Sequence, residues 1–327
     1  MKAWRIHDNG EPGSVYRLEE VATPVPRPGQ VRVKVLAAAL NYPDVMMARG
    51  HYQLQPPLPF TPGVELCGEV IELGPDVTRF RVGDRLVGTA QLPSGSFAEE
   101  SLMSAETAQL APLDLDDAHA AGLHIAYQTG WFGLHRRAQL REGETLLVHA
   151  AVGGVGSAAV QLGKAAGARV IGVVGGADKA ALARELGCDL VLDRTSDDLV
   201  AAIKEFTSGR GVDVAYDPVG GPAYAASAKV IAFEGRIVLV GFASGTIPAP
   251  GLNHALIKNY TILGLHWGLY NTFDPPAIAA CHAELTALAA AGSIRPLVGA
   301  EIGLADVPRG LTDLAAGTTT GRVVMRP

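Results

Sequence analysis

The sequence predicts an α/β protein: a Rossmann-type doubly wound parallel sheet of six strands, joined to a second domain of irregular β structure made from both ends of the chain. Three observations carry that expectation. Six short apolar runs recur at a near-constant interval between about 145 and 265, helical patterns fill the gaps between the first five, and the flanking segments are rich in Pro and Gly. A chain of 327 residues is also long for one compact domain at roughly 100–200 residues each.

Residues 1–120 read as β structure. Val31-Arg-Val-Lys-Val35 alternates apolar and charged side chains, the period of a strand with one buried face, and Pro24, Pro26, Pro28 and Gly29 form a rigid lead-in. In Phe80-Arg-Val-Gly-Asp-Arg-Leu-Val87, Gly83-Asp84 separates two short apolar runs and predicts a turn. From 121 to 265 the expected strands are 145–150, 169–174, 189–193, 212–217, 236–241 and 260–265, whose starts lie 24, 20, 23, 24 and 24 residues apart. Helices are expected at 155–166, 179–186, 199–206 and 223–232. Strand, helix, strand at that interval demands crossover connections and therefore a parallel sheet with both faces covered. Residues 266–327 offer a helix at 276–291 and a terminal strand at 322–326. So small a core does not fold alone, so this segment is expected to complete the first domain, with the nucleotide-type domain inserted between.

Composition narrows the function classes. With 27 basic and 33 acidic residues the net charge is -6, with both signs scattered, which disfavours nucleic acid and anionic membrane as partners. Cys67, Cys188 and Cys281 form neither a CxxC pair nor a zinc-ligand cluster, and three thiols in this length indicate a reduced, cytoplasmic setting. The opening MKAWRIHDNG lacks the apolar stretch of a signal peptide, and the uncharged segments 146–163 and 237–257 are too rich in Gly, Pro or polar residues to span a membrane.

The densest signal is Leu146-Leu-Val-His-Ala150-Ala-Val-Gly-Gly-Val-Gly156. It is a GxGxxG-like turn with Ala151 in the first glycine position, leaving an expected strand and opening an expected helix. Gly153 lets backbone approach a pyrophosphate, Gly156 permits close helix-sheet packing, and the N–H groups of Gly154, Val155 and Gly156 face an anion. A site for NAD places a carboxylate at the end of the second strand. Here the sequence runs Val173-Val174-Gly175-Gly176-Ala177-Asp178-Lys179, with no acid at the strand end, Lys179 in the next turn and Arg194 after the third strand. Nothing there repels a 2′-phosphate and two cations attract one, so NADP(H) is expected over NAD(H).

At this point the sequence resembles the medium-chain dehydrogenase/reductase superfamily, and within it the zinc-independent NADPH:quinone oxidoreductase (zeta-crystallin-like) group. The resemblance spans essentially the whole chain through Asn41-Tyr-Pro-Asp44, Arg49-Gly-His-Tyr52, Pro62-Gly-Val-Glu-Leu-Cys-Gly68, Val82-Gly-Asp-Arg85, Gly95-Ser-Phe-Ala-Glu99, Gly153-Gly-Val-Gly156 with Gln161 and Lys164, and Asp217-Pro-Val-Gly220. Val152 departs from the small residue usual before the paired glycines. The resemblance implies a GroES-like barrel for the first domain and a homodimer. The positions that carry the catalytic Cys, His and Cys of the zinc alcohol dehydrogenases correspond to Asn41, Val64 and Ile125, which do not match those ligands, and no four-cysteine lobe is present. A Tyr-x-x-x-Lys pair is missing too, since Lys229 lies five residues after Tyr224.

Without metal or proton-relay dyad, the chemistry expected is hydride transfer from NADPH to an acceptor that needs little electrophilic help: a quinone, or a double bond conjugated to a carbonyl. The resemblance implies Asn41 and Asp44 near the nicotinamide ribose and the substrate, Thr129 on the nicotinamide side, and Gly241, Phe242 and Ser244 in the loop that closes over the cofactor. Tyr52 is a candidate for the acceptor pocket, and Met46 and Met47 for an apolar wall, with core packing the commoner role of such residues. His149, inside an expected buried strand, reads as structural. Two other readings stand beside this one: an enoyl-thioester reductase, and a non-enzymatic NADPH-binding protein of the crystallin kind.

Overall fold

The structure is a computed structural model that describes residues 1–327. The chain divides into two compact units, Met1–Ile125 with Tyr270–Pro327, and Ala126–Leu269.

In the first unit, Gln30–Ala39 is the central strand of a seven-stranded sheet. It pairs antiparallel with Glu65–Leu73, with Glu100–Ser104 and with the last strand, Arg322–Arg326. Val31, Val33 and Val35 are buried while Lys34 is exposed, as the alternation predicts. Period two then gives out, because Ala37, Ala38 and Ala39 are all buried and small side chains let both faces of the strand be covered. The inward valines pack with Leu66, Val70, Leu86, Phe97 and Met103. Gly83 adopts φ +92° in the turn expected at that position, and the Asp84 N–H donates to the Arg81 carbonyl. A two-stranded sheet of Lys2–Ile6 and Tyr16–Glu20 has no counterpart in the expected elements.

The second unit is the doubly wound sheet. Its strands run Leu190–Asp193, Arg169–Val174, Thr145–His149, Val212–Asp217, Ile231–Leu239 and Thr261–Gly264 in spatial order, every pairing parallel. Helices Gly154–Ala165, Ala177–Glu185, Leu199–Phe206 and Pro222–Val230 follow the first four strands in chain order. The order reverses between Thr145–His149 and Val212–Asp217, the place where such sheets open a crevice at the carboxyl ends of their strands.

One boundary of the doubly wound sheet differs from expectation by more than two residues. Residues expected to finish a helix at 232 instead begin the fifth strand at Ile231, five residues before the expected start. Glu234 holds φ +57° and the pairing register jumps from Val212↔Ile231 to Val214↔Arg236, so a bulge lets an interrupted stretch pair at both ends.

Candidate active site

The crevice end of the second unit gathers most of the expected cofactor residues. The helix Gly154–Ala165 starts from Gly153, whose backbone is extended, and its first-turn N–H groups, on Gly154, Val155 and Gly156, have no intrahelical acceptor. A Cβ on Gly156 would stand 2.0 Å from the Ala150 carbonyl oxygen, so the turn itself requires that glycine. The positive φ of the turn falls on Ala150, at +51°, and not on Ala151, the residue that stands in the motif's first glycine position. His149 is buried with Nε2 2.8 Å from the Ser227 hydroxyl, a packing role.

At the end of the second strand, Gly176 takes φ +100° and its N–H donates to Asp193 Oδ1. That carboxylate also accepts from Thr195, and these bonds hold it below its usual range. The guanidinium of Arg194 lies across the Gly175 Cα, where a Cβ would come within 2.9 Å of it. Lys179 stands close enough to Arg194 for its ammonium to be pushed down, by burial first and by that like charge second. Two cations crowd one glycine turn whose only strand-end carboxylate is spent on backbone and hydroxyl donors. The arrangement fits a bound phosphate.

The loop after the fifth strand is tied to the one after the fourth: Ala243 N–H donates to the Pro218 carbonyl and Ser244 N–H to the Val219 carbonyl. Asp217 fixes that partner loop by accepting from the N–H groups of Val219 and Gly220. Gly241 and Phe242 therefore sit at the same sheet end as Gly153–Gly156 and Gly175. Thr129 is buried in the helix His124–Trp131, ahead of a π-helical stretch at Phe132–Arg137.

In the first unit, the structure brings Asn41 and Asp44 together and adds residues to which the sequence reading gave no role. Asn41 precedes the helix Tyr42–Ala48, and its N–H donates to Asp44 Oδ2 at 2.8 Å, so Asp44 caps the helix start. The Asn41 side chain is 4% exposed. Its Nδ2 donates to the Ala39 carbonyl and to Glu65 Oε2, each at 3.0 Å, and its Oδ1 accepts from Arg322 Nη2 at 2.9 Å. Arg322 also donates to Glu65 Oε2, and the Ile125 N–H donates to Glu65 Oε1 at 2.6 Å. Burial pushes the Glu65 carboxyl up, against the pull of Arg322, the Ile125 N–H and the Asn41 amide.

Asp44 is fully buried, and burial lifts its carboxyl to about 7 despite the Asn41 and Val64 N–H groups and Arg322. Its Oδ1 has no hydrogen-bond partner, nor does the buried Tyr16 hydroxyl. The phenols of Tyr16 and half-buried Tyr52 are both raised, by burial first and then by Asp44, so one carboxyl and two phenols share this environment. Met47 is core, whereas Met46 is partly exposed. No group of three or more His, Cys, Asp or Glu side chains is placed to hold a metal ion, and no helix is long and apolar enough to cross a membrane.

Comparison with known proteins gives the class. The family models described as alcohol dehydrogenase GroES-like domain and zinc-binding dehydrogenase match residues 27–114 and 154–283. A quinone oxidoreductase-like protein 2 homolog of Nematostella vectensis is 36% identical over 298 residues, 90% of this chain and 81% of the relative. Among solved structures, a mycobacterial protein complexed with NADPH superposes with a TM-score of 0.93 at 32% identity, with 100% of both chains covered. The Escherichia coli quinone oxidoreductase complexed with NADPH gives 0.92 at 29% identity, again with 100% of both chains covered. The chain belongs to the medium-chain dehydrogenase/reductase superfamily and, within it, to the quinone oxidoreductase group.

Proposed function

We propose that this protein is an NADPH-dependent reductase that passes a hydride to a quinone or to a double bond conjugated to a carbonyl, without a metal. The observation that carries the cofactor assignment is the glycine turn at the end of the second strand, where Arg194 lies over Gly175 beside Lys179 and the neighbouring carboxylate, Asp193, is taken up by the Gly176 N–H and Thr195. Two relatives of the same fold crystallised with NADPH support it.

Gly153, Gly154, Val155 and Gly156 would hold the pyrophosphate through first-turn N–H groups, Gly175, Lys179 and Arg194 the 2′-phosphate, and Thr129, Gly241, Phe242 and Ser244 the nicotinamide half. Bound NADPH supplies the hydride. Asn41, Asp44 and Tyr52 serve the acceptor, with Asp44 able to retain a proton near neutral pH because burial raises it. The ligand positions of the zinc enzymes are occupied by an amide, a valine and an isoleucine, a donor set unsuited to zinc, which favours acceptors that need no Lewis acid. Exposed Leu252, Leu256 and Ile257, in the helix just before the outer strand Thr261–Gly264, support pairing of that sheet edge with a second copy.

The deciding experiment is an NADPH-oxidation screen over benzoquinones, naphthoquinones, alkenals and enoyl-CoA esters, run beside fluorescence titrations with NADPH and NADH. Turnover of a quinone or enone with tighter NADPH binding is expected. Activity confined to enoyl-CoA esters would move the protein to thioester reduction, and equal affinity for both nucleotides would remove the 2′-phosphate site.

A further inference from the structure

Two of the three positions that hold the catalytic metal in the zinc enzymes converge here on one carboxylate. The Asn41 amide and the Ile125 N–H both donate to Glu65, and Glu65 is the residue next to Val64. A buried guanidinium, Arg322, neutralises that carboxylate. The positive charge this lobe needs is thus supplied by an arginine delivered from the far end of the chain, 281 positions from Asn41.

We propose that Arg322, acting with Glu65, is a positioning residue for the acceptor site: it fixes the orientation of the Asn41 side chain and, through the Asn41 backbone, the placement of Asp44. Every neighbour of the Asn41 amide admits one orientation only. Its oxygen meets a guanidinium that can only donate, and its nitrogen meets a carboxylate and a carbonyl that can only accept. Turning the amide over would set NH2 against NH2 and oxygen against two oxygens. The backbone is clamped at the same point, since Leu40 N–H donates to the Val323 carbonyl and Arg322 N–H to the Leu297 carbonyl. Packing holds the arginine stem as well: a Cβ on Gly122 would lie 3.1 Å from Arg322 Cγ, so only glycine leaves it ordinary room. A positioning shell of this kind earns its effect through distance, because a misplacement of about 1 Å can cost roughly 100-fold in rate.

The inference rests on the reading that Asn41 and Asp44 serve the acceptor. Its test compares Arg322→Met, Arg322→Lys and Asn41→Ala with wild type, using Arg326→Met as the control on the same strand. The readouts are kcat and KM for the quinone that the wild type reduces, NADPH affinity by fluorescence, thermal midpoint, and the side-chain amide resonances of Asn41 in labelled protein. Arg322→Met is expected to lower kcat at least about 10-fold with NADPH affinity within about twofold, and to bring the Asn41 amide protons into exchange with water. Arg322→Lys, which keeps the charge but brings a differently shaped stem to the two acceptors that one guanidinium nitrogen now reaches, should recover part of kcat. Arg326→Met should behave as wild type. Full kcat and unchanged Asn41 resonances in Arg322→Met would overturn the inference. If Arg322→Met does not fold, Arg322→Lys decides it by the same two readouts. Asn41→Ala at wild-type rate would instead sink the acceptor-site reading, and the Asn41 resonances would still report on Arg322.

Discussion

The molecule carries two clusters of charge that solve opposite problems. Around Glu65 the charges are buried and bonded to one another: carboxylate, guanidinium, amide and backbone N–H meet, with Arg322 5% exposed, Glu65 fully buried and only Arg322 Nε of the guanidinium's buried atoms lacking a partner. Around Gly175 the charges lie nearer the surface, with an exposed Arg194 and a half-buried Lys179 at a glycine turn whose neighbouring carboxylate, Asp193, accepts from the Gly176 and Thr195 donors. A closed cluster holds geometry, because removing either ion strands the other away from water. A surface cluster near a glycine turn is placed to read a phosphate and costs less to alter in the folded chain. The contrast separates residues that shape the protein from residues that read a ligand.

The largest effect should come from breaking the closed cluster. Glu65→Ala leaves the Arg322 guanidinium buried without its counter-ion and the Asn41 amide and Ile125 N–H without their acceptor. A loss of about 3–5 kcal/mol is expected, read as a lower denaturant midpoint. Replacing exposed Arg194 by Ala should leave that midpoint within about 0.5 kcal/mol, and replacing half-buried Lys179 should cost far less than breaking the Glu65 pair. NADPH affinity should instead drop about 10–100-fold per substitution, the worth of a charge-assisted hydrogen bond, with NADH affinity unchanged. Were Arg194→Ala to weaken both nucleotides alike, its guanidinium would be serving the shared pyrophosphate and not the 2′-phosphate.

How far each cluster was legible in the sequence follows from its range. The surface cluster lies within 20 residues of one strand-turn-helix unit, and the absence of an acid after Val174 exposes it directly. The six strands were legible for the same reason, local periodicity recurring at one interval. The closed cluster joins positions 41, 65, 125 and 322, and nothing local marks them: Glu65 sits within a quoted motif without a role, and Arg322 opens a terminal strand as any flanking arginine does. The helix Leu252–Lys258 was missed because Leu252, Leu256 and Ile257 are exposed, so it lacks the polar outer face by which a surface helix is known.

Asp44 tests the electrostatics of the closed region by pH. Its carboxyl is lifted from an ordinary 3.8 to about 7, so the folded chain binds a proton that the unfolded chain has released. The stability this contributes is full below about 4 and is lost as pH rises through about 7. Glu65, raised by the same burial, acts in the same direction, while Arg322 opposes both and Tyr16 and Tyr52 stay neutral throughout. Asp44→Asn keeps an acceptor for the Asn41 N–H and removes the titration, so thermal midpoints from pH 4 to 8 should fall less steeply than in wild type. An unchanged slope would mean that Asp44 is ionised across the range.

The smallest effect belongs to the glycine turn, where shape and ligand reading meet. Ala150 holds φ +51°, a left-handed conformation that costs an L-residue with a Cβ about 1–2 kcal/mol. Its methyl is exposed, so Ala150→Gly sacrifices no core contact. The gain is offset by the larger conformational freedom of glycine in the unfolded chain, about 0.4–1 kcal/mol, which leaves a net stabilisation of about 0.5 kcal/mol. The backbone path needs no change, and the first-turn N–H groups of Gly154, Val155 and Gly156 keep their places, so NADPH affinity should stay within about twofold. A more stable variant that binds NADPH tenfold worse would show that the strain at Ala150 aims those N–H groups at the phosphates, and the turn would then join the closed cluster as a device for holding geometry.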